Sequence, residues 1–296
     1  MGFLVAHILL VVTFAMILRL SQTRGHDFFL MTGTNYATGL AIGIIWMAVV
    51  GFGNAEPVTV ILGLVQGARF ALAVVAIYLL LVRTGVGITF MLLRMSVVVP
   101  TIASIVWFGE RPDVPTMVGM VLLLIAVPLL VGIGRSGNDR LSVWWYWPVV
   151  IGTLAVTGAG LIAAKAFVEV APIHDIPVYV VSTFTAATGV AVITFAVRRR
   201  IQIAGNPHLD GYSPTRGLPM EPLSLGVLAG GVNIGQLVLI LLALSHVPGT
   251  IVFPIQSAGS ALLTIGAGYL IWHERYRMGA IVGAGLALVG LVLVSV

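Results

Sequence analysis

The sequence predicts an all-α polytopic membrane protein of ten transmembrane helices, built as two inverted five-helix repeats. Three observations predict it. Hydrophobic residues make up 59% of 296 positions and charged residues only 8%, against about 25% charged in a soluble domain. The apolar residues gather in runs close to the roughly 20 residues that a membrane helix needs. The stretch Trp107–Thr116, WFGERPDVPT, has a second copy 164 positions on at Ile271–Ala280, IWHERYRMGA, which sets Glu110-Arg111 on Glu274-Arg275. The same offset carries Gly67 onto Gly231, Gly85 onto Gly249 and Val118-Gly119 onto Val282-Gly283. A register held from Gly67 to Gly119 marks a duplicated unit, and internally repeated membrane proteins are most often transporters.

The expected spans, in order, are 3–18, 28–50, 58–82, 86–108, 115–134, 144–167, 176–197, 223–244, 249–272 and 278–296. The first lacks a basic leader and a small-residue cleavage site, so it reads as a retained helix and not a signal peptide. Arg83–Gly85 is a tight link after the third span, and Ser245–Pro248 repeats it after the eighth. The fourth and ninth spans end at the two Glu-Arg pairs, which read as charged turns fixing helix ends at the interface. Arg135–Ser142 joins the halves, and Trp144, Trp145 and Trp147 follow it as an interfacial aromatic belt. Arg198–Pro222 is rich in Gly and Pro, has no helical period and reads as an exposed loop. The halves are residues 1–134 and 143–296. Five helices is an odd number, so the second copy enters the membrane from the opposite side.

Most basic residues lie at the ends of apolar runs, so the net charge of +5 reads as topology signal and not as nucleic-acid affinity. One side's loops hold Arg19, Arg24, Arg83, Arg135, Arg140, Arg198, Arg199, Arg200, Arg216, Arg275 and Arg277; the other side's hold Arg111 and Lys165. Eleven against two places the first set in the cytoplasm and both termini outside. The chain has no cysteine, which excludes disulfides and thiolate chemistry. It has no HExxH, no P-loop and no paired intramembrane carboxylates, so no enzymatic activity, metal or cofactor is expected.

Arg69 and Arg94 are the sharpest candidates for function. Each sits near the middle of an apolar run, where an arginine costs roughly 2.5–3.5 kcal/mol on insertion scales, and no carboxylate lies mid-span to pair with it. Either they attract an anionic group, a carboxylate or phosphate, or they bond kinked-helix carbonyls or snorkel. Pro100 is expected to free the carbonyl of Ser96 beside Arg94, and Pro254 that of Thr250. Gln66 and Arg69 share a helix face, as do Asn233 and Gln236, and Arg69 maps onto Asn233. Polar groups at equivalent places in inverted halves point to a central pocket at the repeat interface. Gln256, Ser257 and Ser260, Asn35 and Tyr36, and Tyr179 and Thr183 are candidates for its walls, with interhelical hydrogen bonding as the plainer role for these uncharged residues. Several GxxxG spacings, among them Gly39/Gly43, Gly63/Gly67 and Gly226/Gly230, support close packing and specify no partner; a homodimer stays open.

The segments LLRMSVVVPTIASIVWFGERPDVPTMVGMVLLLIAV and FPIQSAGSALLTIGAGYLIWHERYRMGAIVGAGLALVGLVLV resemble the drug/metabolite transporter superfamily, EamA-like branch. The F-x-E-R end of the fourth span, the following V-G and the matching end of the ninth carry the likeness, which covers nearly the whole chain. It implies a secondary transporter in the cell membrane, often an exporter, with a pocket between the halves. Its substrate range is broad: amino acids, sugars, nucleotide sugars, phosphorylated sugars and cationic drugs. Phe3–Leu18 lacks the acidic residue of the small multidrug branch, which argues against proton-coupled cation export by that route. Many ten-helix relatives have cytoplasmic termini, where the charge count here puts them outside. The leading expectation is alternating-access transport of a small polar or anionic metabolite, with one half rocking against the other. The alternative is a non-transporting membrane partner or lipid-headgroup flippase subunit.

Overall fold

A computed structural model of the chain describes residues 1–51, 56–70, 72–73, 96–131, 143–203, 220–272 and 278–295. Among the described residues all regular structure is helical. The helices are α1 (Gly2–Thr23), α2 (Phe28–Val50), α3 (Pro57–Phe70), α4 (Val98–Val106), α5 (Val114–Val131), α6 (Val143–Val170), α7 (Ile176–Ile203), α8 (Met220–Leu244), α9 (Gly249–Trp272) and α10 (Met278–Ser295). A 3-10 turn, Ile173–Asp175, leads into α7. Among the described residues, five stretches are long and apolar enough to cross a membrane by length and composition: Gly2–Ser21, Phe29–Val50, Ile151–Val170, Ile173–Val197 and Met220–Leu244. Ile45, Val192 and Val289 stand more than half exposed in mid-helix, an outward apolar face that suits lipid and not water.

Carboxylates start the helices. Asp27 caps α2 by accepting from the amides of Phe29 (2.8 Å) and Leu30 (3.2 Å). Asp113 does so for α5 through the Thr116 amide at 3.1 Å, and its bonds with Thr116, the side-chain one first and the amide one next, hold its carboxyl below the ordinary value. Such caps satisfy amides that have no partner within the helix. Gly51, at φ 95°, ends α2 by donating to the Met47 carbonyl at 3.0 Å. Gly109, at φ 66°, reverses the chain after α4 and lets the Glu110 amide reach back to the Ser104 carbonyl at 3.2 Å. Both backbone conformations favour glycine.

Three expectations change. The 198–222 loop is shorter, because α7 continues through Arg198–Arg200 to Ile203 and α8 already begins at Met220. No Gly or Pro interrupts the chain between Arg198 and Ile203, and arginine is a good helix former. Pro100 does not free the Ser96 carbonyl, which accepts from the Val99 amide at 3.2 Å. The helix starts at Val98, so the proline sits in its first turn, where the missing N–H has no helical partner to lose. Lys165 is not a loop residue: it lies inside α6, 4% exposed, leaving Arg111 alone against eleven basic residues in the topology count. Arg83–Gly85, Arg94, Arg135–Ser142 and Glu274-Arg275 lie outside the described residues.

The chain divides into two compact units. Unit 1 is Met1–Leu9, Leu72–Glu169 and Ile240–Val296; unit 2 is Leu10–Ala71 and Val170–Leu239. Each takes helices from both halves of the sequence.

In unit 1, α5 packs chiefly on α10, and both contact α9. Met120, Leu123 and Ala126 meet Ala258, Ala261, Ala287 and Val294 in its core. A Cβ on Gly119 would stand 2.8 Å from the Gly290 carbonyl, and one on Gly290 would stand 2.9 Å from the Gly119 carbonyl. The two helices run antiparallel through this contact, since Gly119 meets Val294 while Leu123 meets Gly290.

In unit 2, α2 packs antiparallel on α7: Gly39 faces Phe184, and Gly43 faces Val180 and Val181. Two further contacts mirror each other. On α3, Gly63 and Gly67 lie against α7; a Cβ would meet Ser182 Cβ at 2.6 Å and Ala186 Cβ at 2.8 Å. On α8, Gly226 and Gly230 lie against α2; a Cβ would meet Thr34 and Thr38 Cβ at 2.6 Å each. Without a hydrophobic driving force in lipid, such close backbone approach supplies the van der Waals contact that associates helices.

Candidate functional site

Eight of the expected site residues belong to unit 2: Asn35 and Tyr36 on α2, Gln66 and Arg69 on α3, Tyr179 and Thr183 on α7, and Asn233 and Gln236 on α8. The Gly63/Gly67 and Gly226/Gly230 contacts bring the four helices close enough for these side chains to meet. Asn233 Nδ2 donates to Asn35 Oδ1 at 3.2 Å, tying α8 to α2. The Tyr36 hydroxyl donates to the Phe70 carbonyl at 3.3 Å, and its ring stacks on Phe70 with centroids 6.1 Å apart and 3° between planes. Phe184 meets Phe70 edge-on at 6.3 Å and Tyr36 at 6.5 Å. Arg69 lays its guanidinium over the Phe70 ring, 4.4 Å from the centroid, a cation–π contact. It is within electrostatic reach of the Tyr36 and Tyr179 hydroxyls.

Hydrogen-bonding capacity remains unused in this cluster. The Arg69 Nε and Gln66 Oε1 atoms are buried and make no hydrogen bond among the described residues, and the same holds for Thr183 Oγ1. No described carboxylate pairs with Arg69. Buried polar atoms are nearly always satisfied, so a charged donor and two neutral groups left open on neighbouring helices mark a place where another molecule can complete the bonding. Gln256 and Ser257 belong to unit 1; Gln256 Oε1 is also buried and open. Arg94 lies outside the described residues.

Unit 1 holds an ionic cluster that the sequence reading passed over. Glu110 accepts from the Gly249 amide through Oε1 and from the Thr250 amide through Oε2, each at 2.7 Å. These are the first two residues of α9, where free amides and the helix dipole favour an anion. Lys165 Nζ lies 3.0 Å from Glu110 Oε1 and 2.7 Å from Glu169 Oε1, with the Phe108 ring 5.8 Å away. Burial pushes the Glu110 carboxyl upward, but bonds from Thr250, Gly249 and Lys165 outweigh it and hold the group below its ordinary value. The i,i+4 spacing of Lys165 and Glu169 was the available signal. Glu110 therefore fixes a helix end, as expected of its turn, and does so from a nearly buried position.

Two further repeated pairs went unnoticed because their offsets are not 164. His26-Asp27 precedes α2 as His174-Asp175 precedes α7, and Glu56-Pro57 opens α3 as Glu221-Pro222 lies in the first turn of α8. Asp175 Oδ2 accepts from Thr59 Oγ1 at 2.9 Å and from the Glu56 amide at 3.3 Å. Glu221 pairs with Arg24 and, at 3.3 Å, with His26 Nε2.

No family model matches the chain, and no curated protein does. Solved structures do resemble it, 27 chains in all. One protein known from a crystal structure is similar with a TM-score of 0.72 at 14% identity, covering 100% of this chain and 98% of the other. At that identity the likeness concerns the fold alone.

Proposed function

We propose that the protein is a multi-pass secondary transporter of the cell membrane, EamA-like within the drug/metabolite transporter superfamily. It moves a small polar or anionic metabolite by alternating access, through ten transmembrane helices arranged as inverted repeats. The observation that carries the reading is Arg69: a cation within an apolar helix, with no carboxylate beside it among the described residues and its Nε open. An intramembrane ionisable group is expensive and is retained where it meets a substrate or an ion. Gln66 on the same helix, and Tyr36, Tyr179 and the Asn35–Asn233 pair on three neighbouring helices, supply neutral groups. Gln236, Arg94, Gln256 and Ser257 complete the proposed set.

The helix contacts support the inverted repeat. The second helices, α2 and α7, pack antiparallel on each other, and so do the fifth, α5 and α10. The third helix of each half lies on the second helix of the other, α3 on α7 and α8 on α2. A two-fold relation between halves requires such exchanged contacts.

The test is a metabolite screen for thermal stabilisation of the purified protein, followed by transport in proteoliposomes. Ligand at 100 times its dissociation constant adds about 2.7 kcal/mol. Arg69→Gln is expected to remove both the stabilisation and the transport of an anionic ligand while the protein still inserts and folds. Arg69→Lys is expected to recover only part, because lysine lacks the planar fork. Unchanged transport by Arg69→Gln refutes the substrate role.

A further inference from the structure

Unit 2 contains one helix crossing twice, and one copy leaves polar groups open. Where α8 lies on α2, a Cβ on Gly226 would meet Thr34, and one on Gly230 would meet Thr38 and, at 2.7 Å, the Asn35 carbonyl. Where α3 lies on α7, a Cβ on Gly63 would meet Ser182, and one on Gly67 would meet Ala186 and the Thr183 carbonyl. Contact therefore pairs Gly63 with Gly226, Gly67 with Gly230 and Thr183 with Asn35, so that α3 and α8 correspond one residue short of the 164 offset. In this register Gln66 falls on Ala229, Arg69 on Val232 and Phe70 on Asn233.

The α8–α2 crossing is closed. Asn233 donates to Asn35 at 3.2 Å, and Ala229 and Val232 pack with Ile17 and Met31 in an apolar cluster. At the α3–α7 crossing Phe70 stands in place of the asparagine, and Gln66 Oε1, Arg69 Nε and Thr183 Oγ1 are buried without a hydrogen bond among the described residues. Packing does not require these polar groups, because the same crossing holds with alanine and valine in place of Gln66 and Arg69. Leaving them unbonded disfavours the folded state, and a ligand that bonds them offsets that penalty.

The open groups select a ligand by their chemistry. Phe70 covers one face of the Arg69 guanidinium at 4.4 Å, which leaves the edge, and an arginine edge matches the two oxygens of a carboxylate. Gln66, three residues before it on the same helix face, offers a carbonyl oxygen, which accepts and cannot donate. The ligand therefore carries a donor near its carboxylate. Between residues 28–50, 57–70, 176–197 and 222–244, the apolar parts of the four helices, Arg69 is the one charged residue. A monoanion leaves that site neutral. A zwitterion brings an ammonium that none of these segments can balance, and a phosphate monoester brings a second negative charge with the same difficulty. Uncompensated charge is strongly disfavoured away from water. We propose that the α3–α7 crossing binds a hydroxycarboxylate, its carboxylate on the Arg69 edge and its hydroxyl donating to Gln66 Oε1, with Gln66 as the residue that selects it. This rests on the transport reading above and narrows its substrate to a monoanion with an uncharged donor.

Lactate, alanine and propionate differ at one carbon, which carries a hydroxyl, an ammonium and a hydrogen respectively. Phenyllactate, phenylalanine and 3-phenylpropionate repeat the comparison on a larger body, and glycerol phosphate is the phosphate probe. Binding of each to the purified full chain is titrated by thermal stabilisation. In at least one series the hydroxy acid is expected to bind about tenfold more tightly than its hydrogen analogue, and more tightly than the amino acid and the phosphate. Gln66→Ala, which takes the residue of the equivalent place on α8, is expected to bring the hydroxy acid down to the hydrogen analogue and leave the latter unchanged. Arg69→Gln is expected to remove both. A tighter amino acid or phosphate overturns the proposal, as does a hydroxy-acid preference that survives Gln66→Ala, or no binding in either series. If Gln66→Ala does not fold, the ranking on the native chain decides. A different metabolite whose binding needs Arg69 removes the hydroxycarboxylate and keeps the transport reading. A hydroxy acid that binds in the expected order but is not carried across proteoliposomes does the reverse.

Discussion

At the scale of single residues, four of the described carboxylates work at helix ends. Asp27, Asp113, Asp175 and Glu110 each bind backbone amides at or near the start of a helix. Lys165 is different, because it is buried and, among the described residues, its charge is balanced by Glu110 and Glu169. Lys165→Met leaves Glu110 facing α9 without its cation, and breaking a buried pair in this way costs roughly 3–5 kcal/mol. A clear fall in Tm in detergent is expected, and adding Glu110→Gln should recover part of it. Independent, additive losses in the double variant would show that the two do not form one network. The Glu110 carboxyl is held below its ordinary value of 4.5. A depressed folded value means that its contribution is fully present above about pH 4.5 and is lost as pH falls through the folded value. Acid unfolding of the native protein should therefore be steeper below pH 4.5 than that of Glu110→Gln; identical profiles would remove Glu110 from the acid response.

At the scale of elements, apolar run length located the helices well. The second and ninth spans match their observed bounds, 28–50 and 249–272. Run length says nothing about charged helix ends, which is why α7 passes through Arg198–Arg200 into the expected loop. The offset of 164 was visible because α3 to α5 and α8 to α10 keep one spacing; it hid the His-Asp and Glu-Pro pairs, whose spacings follow different turn lengths. The polar residues of α2, α3, α7 and α8 were legible one by one as costly groups in apolar runs. Their neighbours Phe70 and Phe184 were not, since an aromatic ring in such a run carries no mark of what it will stack on. Glycines were legible as spacings but not as contacts, and this gives a test. Gly67→Ala places a methyl against the Thr183 carbonyl and the Ala186 side chain of α7, and such overpacking costs about 1–3 kcal/mol. Gly231→Ala meets nothing within 4 Å and gains helix propensity of up to about 1 kcal/mol. Tm should fall for the first and hold or rise for the second. The opposite order would place α3 and α7 farther apart than described here.

At the scale of the whole molecule, the remaining basic asymmetry carries an expectation about orientation. With Lys165 withdrawn from the count, eleven arginines at helix ends and in connections face Arg111 alone, and the positive-inside rule leads us to expect the α1–α2 and α7–α8 connections in the cytoplasm. Ala55→Cys should react with an impermeant thiol reagent added outside intact cells, and Asp210→Cys should not. The reverse pattern inverts the topology and leaves the helix contacts unchanged.

Interleaving of the halves has a consequence for how the chain is made. A ribosome that has finished α6 has delivered Glu110 and Lys165, but the α9 amides that complete their site are still some 80 residues away. Likewise α2 waits for α7, and α5 for α10. Neither compact unit can close during synthesis of the first half, so the nascent bundle must sit in the bilayer part-assembled until the last helices insert. Residues 1–134 and 143–296 made as separate polypeptides should each be degraded when alone. Co-expressed, they should rescue one another into a complex that purifies together. Stable accumulation of either piece by itself would mean that the first half closes on contacts other than those found in the finished protein.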